Sequence, residues 1–270
     1  MHFAHKITSS VKIFPFGNEN KNKFSFCISL TYSYLWIRHS RSEMKINTSF
    51  HFAFRSLIRI FAVQTLNGMN ENNMEISWGE NVIVVDAEYA DRVAFNLTVN
   101  FERMLERRIP KADLAKWLDC VALDGGLRPE GERSEPAQVS VVLVHEKSSK
   151  EFANFSPSAF AELHEKAFQD SLGEFVISAL PVESITTKDD LVCEVAELAS
   201  QSKQVKRLMV VPNSEDGDCY DQLRHRLRNA PDDKRITLFA MQPMTGGNFR
   251  QEILGYSLMQ ALGIHGDELK

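Results

Sequence analysis

The sequence lacks the short motifs that mark the commonest nucleotide-binding and hydrolytic sites. No G-x-G-x-x-G, Walker A or G-x-S-x-G pattern occurs where an apolar run meets a helical one, which excludes a standard dinucleotide fingerprint, a P-loop and a nucleophile elbow. Cysteine is also scarce. The chain has four Cys, none in a C-x-x-C pair and none with a His at zinc-ligand spacing. We therefore expect buried, reduced thiols in a cytoplasmic protein, without a disulfide framework or a zinc site.

Long apolar runs and an even distribution of charge are absent as well. No run reaches the roughly 18–20 apolar residues of a membrane span, so no membrane association is expected. The 270 residues carry a formal net charge of −5, but residues 1–73 have nine Lys or Arg against three Glu, which leaves about −11 on the remainder. Half of the 18 Phe and half of the eight His also fall in this first segment.

Residues 1–73 therefore differ in kind from the rest, and three interpretations of them stay open. A basic, Ser-rich, acid-poor leader is typical of an organellar targeting segment. The abrupt change near Met69 or Met74 equally fits a start codon placed upstream of the natural one. A structured domain is the third interpretation. We expect a non-globular leader over residues 1–73 and a single domain over residues 76–265.

Within residues 76–265 short apolar runs alternate with amphipathic stretches. Continuous Val and Ile runs without polar alternation predict strands covered on both faces. Five such strands are predicted, at Asn81–Asp86, Gln138–His145, Phe175–Leu180, Arg207–Val211 and Arg235–Met241. Helical periodicity predicts the intervening helices, among them Arg92–Arg108, one opened by Pro157 and carrying Phe160 to Phe168, Thr187–Ser200 and Tyr220–Arg228. The alternation predicts an α/β fold, a Rossmann-like three-layer sandwich around a mainly parallel five-stranded sheet.

Acidic residues follow two of these strands and precede one helix. Asp86 ends the first strand, Asp190 lies at the start of Thr187–Ser200, and Asp216 and Asp218 follow the fourth strand. Ligands of parallel sheets bind beyond the carboxyl ends of the strands. Converging carboxylates repel each other unless a cation such as Mg²⁺ or Mn²⁺ neutralises them, and a cation held there could activate water for phosphodiester hydrolysis.

Each of these acids also has a purely structural interpretation. Thr187 and Asp190 have the spacing of a capping box, and acids near helix starts interact favourably with the helix dipole. Asp86 is the exception, because a carboxylate that ends an apolar central strand requires a partner.

The order of motifs resembles that of the NYN branch of the PIN-like nucleases. The stretches that carry this similarity are VIVVDAEYAD, KDDLVCEVAEL, RLMVVPNSEDGDCYDQLRHRL and KRITLFAM, between Val82 and Met241. The resemblance implies a divalent-metal-dependent ribonuclease in which Asp86, Asp190, Asp216 and Asp218 hold Mg²⁺ or Mn²⁺ and serve catalysis.

Three positions depart from the family pattern. Tyr89 stands where the family usually has Asn, Glu215 replaces a Gly, and Cys219 replaces a Phe. These departures favour a domain that has kept the scaffold and lost the reaction. The alternative to a ribonuclease is a non-catalytic α/β module that binds a protein partner or a small ligand, or associates with itself.

Candidate partners follow from charge and from apolar surface. RNA would require basic residues, and those available are Arg103, Arg107, Arg108, Lys206, Arg207, Arg224, His225, Arg226 and Arg228. The charge of about −11 opposes RNA binding on average. Self-association would use the last helix, whose apolar residues Ile253, Leu254, Leu258, Met259 and Leu262 are numerous enough to cover more than one face.

Overall fold

The computed structural model describes residues 77–129 and 136–269, all within one compact unit of the chain. The predicted leader over residues 1–73 lies outside the described residues. Within them the chain forms nine strands and six α-helices. The structure is therefore a mixed α/β domain.

The centre of the domain is strand β1, Asn81–Asp86, with every residue buried. It pairs in parallel with β3, Gln138–Glu146, on one side and with β7, Arg207–Val211, on the other. The run of Val and Ile forms a strand here because β-branched side chains pack well on a sheet that is covered on both faces. In this register Asp86 lies at the carboxyl edge of the sheet, opposite Val144.

The sheet has seven strands, so the prediction of five was wrong in number. All five predicted strands are present, and β6 (Glu174–Val182) and β8 (Arg235–Ala240) continue the parallel sheet outward. Two short edge strands are added, β5 (Lys166–Gln169), which is antiparallel, and β9 (Arg250–Ile253), which is parallel. The order is β5-β6-β3-β1-β7-β8-β9.

The antiparallel edge replaces most of a predicted helix. The helix that follows Pro157, α3, spans only Phe160–Leu163. The chain then turns through Glu165 in the left-handed region, at φ 60°, and its backbone N–H donates to Ile177 O at 2.9 Å. Phe168 stacks on Phe175 with ring centroids 4.7 Å apart, so tertiary packing prevails over the helical periodicity.

The other helices agree with the predicted ones to within a few residues at most ends. They are α1 (Ala87–Leu105), α2 (Leu114–Asp124), α4 (Lys188–Gln201), α5 (Cys219–Arg226) and α6 (Leu254–Ala261). The start of α1 is five residues earlier than predicted, directly after β1. Two further strands, β2 (Ala112–Asp113) and β4 (Phe155–Ser156), pair as a small second sheet. Among the described helices, none is long and apolar enough to cross a membrane.

The core divides at β1 into two apolar clusters. Ile83 and Val85 pack with side chains of α1, α2 and α6, whereas Val82 and Val84 pack with side chains of α4 and α5. Successive side chains of a strand point to opposite faces of the sheet. Helices therefore cover both sides of β1, and the carboxyl ends of the central strands are left as the edge at which polar groups collect.

The last helix is mainly a core element. Of the residues considered for self-association, Leu254, Leu258 and Leu262 are fully buried, whereas Ile253 and Met259 are half-buried. The exposed aromatic residue of this helix is Tyr256, with 68% of its surface accessible. Self-association remains a prediction, but most of the surface proposed for it belongs to the core.

Candidate functional site

Asp86 is the most deeply placed acid at the carboxyl edge of the sheet. It is the N-cap of α1, and its Oδ1 accepts a hydrogen bond from Tyr89 N at 3.0 Å. The side chain is 0% exposed. Its second oxygen, Oδ2, is buried and has no hydrogen-bond partner among the residues that the structure describes.

The partner that this buried acid requires is Lys188, the first residue of α4. Lys188 Nζ lies 2.8 Å from Asp86 Oδ1 and 2.9 Å from Glu88 Oε2. The other oxygen of Glu88 accepts from Glu146 N at 2.9 Å, at the end of β3. One ammonium group therefore bridges two carboxylates and joins the carboxyl edge of the sheet to α4.

Burial and the neighbouring charges have opposite effects on the pKa values of Asp86 and Lys188. Burial raises the pKa of Asp86, and the neighbouring Lys188 ammonium offsets this effect only in part. Burial acts to lower the pKa of Lys188, but the charges of Asp86 and Glu88 outweigh it, so that pKa is raised. The lysine is therefore held as a cation, because two anions face it.

Of the two neighbouring aspartates on α4, Asp189 belongs to this edge and Asp190 does not. Burial and then the charge of Asp86 raise the pKa of Asp189, and a Cβ at Gly217 would lie 3.3 Å from Asp189 Oδ2. Asp190 instead bonds to Thr187, the N-cap of α4, and forms one of the two hydrogen bonds of the predicted capping box. Its backbone N–H donates to Thr187 Oγ1 at 3.1 Å, and its Oδ2 accepts from the same hydroxyl at 2.8 Å.

Successive residues of a helix point about 100° apart, so two adjacent acids do not both face the carboxyl edge of the sheet. The capping-box spacing already indicated that Asp190 is used locally. That signal could have identified Asp189 as the acid near Asp86.

The acids after β7 have partners of their own. Asp216 is 64% exposed and pairs with Arg92 of α1 at 2.7 Å. Asp218 precedes α5 without capping it, and its Oδ1 accepts from Gln222 Nε2 at 3.1 Å. Arg92 also donates to Asn213 at 3.2 Å, so α1 holds the turn from two points.

Tyr89 contributes a further contact to the same turn. Its hydroxyl lies 3.4 Å from Ser214 Oγ. Burial raises the pKa of Tyr89 to about 12, so the phenol stays protonated at neutral pH. A bulky neutral side chain thus stands where the nuclease pattern has a small polar one.

These contacts do not assemble the predicted metal ligands. Asp86, Asp190, Asp216 and Asp218 are engaged by Lys188, Thr187, Arg92 and Gln222 respectively. Across residues 77–129 and 136–269, no group of three or more His, Cys, Asp or Glu is placed to hold a metal ion. The donor set therefore does not fit the Mg²⁺ or Mn²⁺ that the nuclease resemblance implies.

Several of the basic residues considered for RNA binding are also engaged in ion pairs. Arg226 is 13% exposed and contacts Glu194 at 2.8 Å. Four more of these basic residues form ion pairs nearer the surface: Arg107 with Glu268, Arg108 with Glu102, Lys206 with Glu80 and Arg224 with Asp221. Arg226 is thus a structural cation, and RNA binding remains a prediction.

Two thiols lie beneath the same edge. Cys193 Sγ and Cys219 Sγ are 3.8 Å apart, and both residues are buried and unbridged. Their mutual hydrogen bond and burial strongly raise the pKa of Cys219. Because the thiolate is the nucleophilic form, this pair is unsuited to nucleophilic catalysis.

A separate pair of carboxyl groups, Asp119 and Asp170, gives a pH-dependent prediction. Asp170 Oδ1 accepts from the backbone N–H groups of Leu172 and Gly173 at 2.8 and 3.3 Å. Burial, and then the hydrogen bond and charge of Asp170, raise the pKa of Asp119 from 3.8 to about 7. The folded state therefore binds this proton more tightly than the unfolded state, and stability is lost as pH rises through this interval.

Asp119→Asn removes this titration, so we expect its stability relative to the unchanged protein to increase from about pH 4 to about pH 7 and then to stay constant. Urea unfolding across this pH range is the measurement. Asp233→Asn, the same change at an exposed turn, controls for net charge. An Asp119→Asn effect equal at both ends of the range would contradict the assignment.

One similarity to known proteins was found. A family model described as Family of unknown function (DUF6621) matches residues 75–269, which include the whole carboxyl edge. No curated protein and no solved structure matches the chain.

Proposed function

The chain belongs to the DUF6621 family of unknown function, and from that premise we propose that it is a non-catalytic α/β binding module. In this proposal the domain has a PIN/NYN-like layout in which Lys188 replaces the divalent cation. The carboxyl edge of the sheet then serves recognition, without hydrolysis of a phosphodiester.

The strand order supports a Rossmann-like, three-layer arrangement. The order β6-β3-β1-β7-β8-β9 corresponds to the doubly wound order 3-2-1-4-5-6. Separate apolar clusters on the two faces of β1 fit helices above and below the sheet. In such folds ligands bind beyond the carboxyl ends of the strands where the order reverses, and here that position is between β1 and β7, beside Asp86.

The observation that carries the proposal is the Lys188 bridge between Asp86 and Glu88. A metal-dependent nuclease needs its deepest carboxylate free to bind the ion. Here Asp86 Oδ1 already receives Lys188 Nζ at 2.8 Å and Tyr89 N at 3.0 Å. An ammonium group neutralises charge, but it has no coordination position at which to activate a water molecule.

The competing function is the divalent-metal-dependent ribonuclease implied by the resemblance, with Asp86, Asp190, Asp216 and Asp218 as ligands. It requires Lys188 to leave Asp86 and the other three acids to turn from their present partners. The binding module and the ribonuclease predict opposite effects of Mn²⁺ or Mg²⁺ on the melting temperature, so one experiment distinguishes them.

We expect millimolar MnCl₂ or MgCl₂ to leave the melting temperature of the full-length protein unchanged, because the Lys188 ammonium already lies between Asp86 and Glu88 and neutralises their charge. Differential scanning fluorimetry after EDTA treatment, with CaCl₂ at equal ionic strength as the salt control, measures this. Asp86→Asn is the matched variant, since Asn caps a helix about as well as Asp.

A rise in melting temperature in Mn²⁺ that Asp86→Asn abolishes would overturn the proposal and favour the ribonuclease. Incubation of the same samples with single-stranded RNA gives the second measurement. Metal-dependent cleavage that Asp86→Asn removes would have the same consequence.

A further inference from the structure

Cys193 and Cys219 place two sulfur atoms in contact between neighbouring helices. Cys193 lies in the first half of α4, and Cys219 is the first residue of α5. Their Sγ atoms are 3.8 Å apart, and Cys193 Sγ also lies 3.7 Å from Cys219 O. The two residues are 26 positions apart in the chain, so the fold brings these thiols together.

The contact between the sulfur atoms is close enough for a covalent bond after a small movement. For a disulfide the sulfur atoms, now 3.8 Å apart, must approach to about 2.05 Å. The start of α5 leaves room for this approach, because Asp218 precedes the helix without a side-chain capping hydrogen bond. Gly217, one residue earlier, has φ 76°, so a turn and not regular structure leads into Cys219.

The pair is buried but lies directly behind an exposed turn. Cys193 is 0% and Cys219 1% exposed, whereas the four residues 215–218 before Cys219 are exposed. A small, uncharged oxidant therefore has a short path to the sulfur atoms. The hydrogen bond with Cys193 and burial raise the pKa of Cys219, and the thiolate is the reactive form. The pair therefore stays reduced until exposure to an oxidant is sustained.

The third cysteine of the described residues lies elsewhere. Cys120 belongs to α2, whose core residues pack on the opposite face of the sheet from the cluster that holds Cys193 and Cys219. Within residues 77–129 and 136–269, the fold therefore favours one pairing of thiols.

We infer that Cys193 and Cys219 form a redox-responsive pair, which a two-electron oxidant such as hydrogen peroxide converts to a disulfide that joins α4 to the start of α5. Peroxide first transfers an oxygen atom to one sulfur. The O–O bond breaks, an S–O bond forms, the thiol becomes a sulfenic acid and one water is released. The sulfur of the second thiol then attacks the sulfenic sulfur, the S–S bond forms, and the S–O bond breaks to release a second water. Two thiols together lose two electrons, and one peroxide is reduced to two waters.

The disulfide adds a second attachment of α5 to α4. The last residue of α5, Arg226, already contacts Glu194 of α4 at 2.8 Å. A bond at Cys219 fixes the first residue as well, and with it the preceding turn, where a Cβ at Gly217 would lie 3.3 Å from Asp189 Oδ2. Oxidation thus restricts the turn at the carboxyl edge of the sheet. This inference does not depend on the proposed function, since the thiols take no part in it.

The test treats the full-length protein with hydrogen peroxide, blocks the remaining thiols with iodoacetamide in urea, and maps tryptic peptides by mass spectrometry. We expect the peptides of residues 189–203 and 208–224 to be linked, with a mass lower by two hydrogen atoms than that of the two thiol peptides together. Dithiothreitol should separate them. Protein treated with peroxide while unfolded in urea should instead distribute its links among all four cysteines.

Variants identify the pair. Cys120→Ser is the matched control and should still form the link, whereas Cys193→Ser should not. Free thiols at Cys193 and Cys219 beside an oxidised Cys120 would overturn the inference, because the oxidant had then reached the folded protein. This result is obtained with the unchanged chain, so it does not require any variant to fold.

Amide hydrogen exchange tests the effect on the turn. We expect residues 213–219 to exchange more slowly in the oxidised protein than in the reduced protein, and dithiothreitol to restore the faster exchange. Equal exchange in the linked and reduced proteins would overturn the restriction of the turn.

Discussion

Arg226→Met is expected to lower the free energy of unfolding by about 3–5 kcal/mol, since breaking a buried ion pair by removal of one partner is strongly destabilising. Arg226 of α5 is 13% exposed and lies 2.8 Å from Glu194 and 3.5 Å from Glu197 of α4. The side chain of Glu194 is only 2% exposed. Urea unfolding followed by circular dichroism measures the loss.

Arg224→Met is the matched control on the same helix. Arg224 is 43% exposed and its pair with Asp221 is a surface one, so the expected cost is about 0–1 kcal/mol. Adding Glu194→Met to Arg226→Met should recover part of the stability, because a buried pair can be replaced by apolar residues at little cost. Equal losses for the two arginine variants would contradict a structural role for Arg226 and return it to the candidates for polyanion binding.

Trp117→Ala is expected to cost about 3–5 kcal/mol, the range for loss of a buried aromatic side chain and the cavity that remains. Trp117 is 0% exposed on α2. Its ring lies 5.0 Å from that of Phe155 in β4, and Nε1 donates to Ser257 Oγ of α6 at 3.2 Å. The residue therefore joins three elements on one face of the sheet.

The control on the same helix is Leu123→Ala, because Leu123 is 38% exposed and a surface change of this kind usually stays within about 0.5 kcal/mol. Thermal or urea unfolding of both variants gives the comparison. Trp117→Phe should lower the free energy of unfolding less than Trp117→Ala, because phenylalanine keeps an aromatic ring in the core. It still loses the hydrogen bond to Ser257. A loss near that of Leu123→Ala would show that Trp117 is not a central packing residue.

The sequence was sufficient to predict the central strands and insufficient for the edges of the sheet. Val82–Val85 and its parallel neighbours are continuous apolar runs, which have few other stable placements in a domain of this size. The edge strands Lys166–Gln169 and Arg250–Ile253 are four residues each and partly charged. Such segments take strand form because a neighbour offers hydrogen bonds, and that information lies in tertiary structure.

The same distinction applies to the candidate site. Asp86 was predictable as a special acid because burial of a carboxylate demands compensation. Lys188 was not identified as its partner, since it is separated by about a hundred residues and nothing in its local pattern distinguishes it from a solvated lysine. Asp190 and Asp216 carried the resemblance, but local capping and an ion pair account for their positions.

The short outer strands have a consequence for how copies of this domain could meet. Exposed strand edges are templates for pairing with another chain, and charged side chains and short length oppose such pairing. Strand β9 carries two charged side chains, Arg250 and Glu252, which form an ion pair at 2.6 Å. Strand β5 begins with an exposed lysine, Lys166. Continuation of the sheet from one copy of the domain into the next is therefore disfavoured at both outer strands.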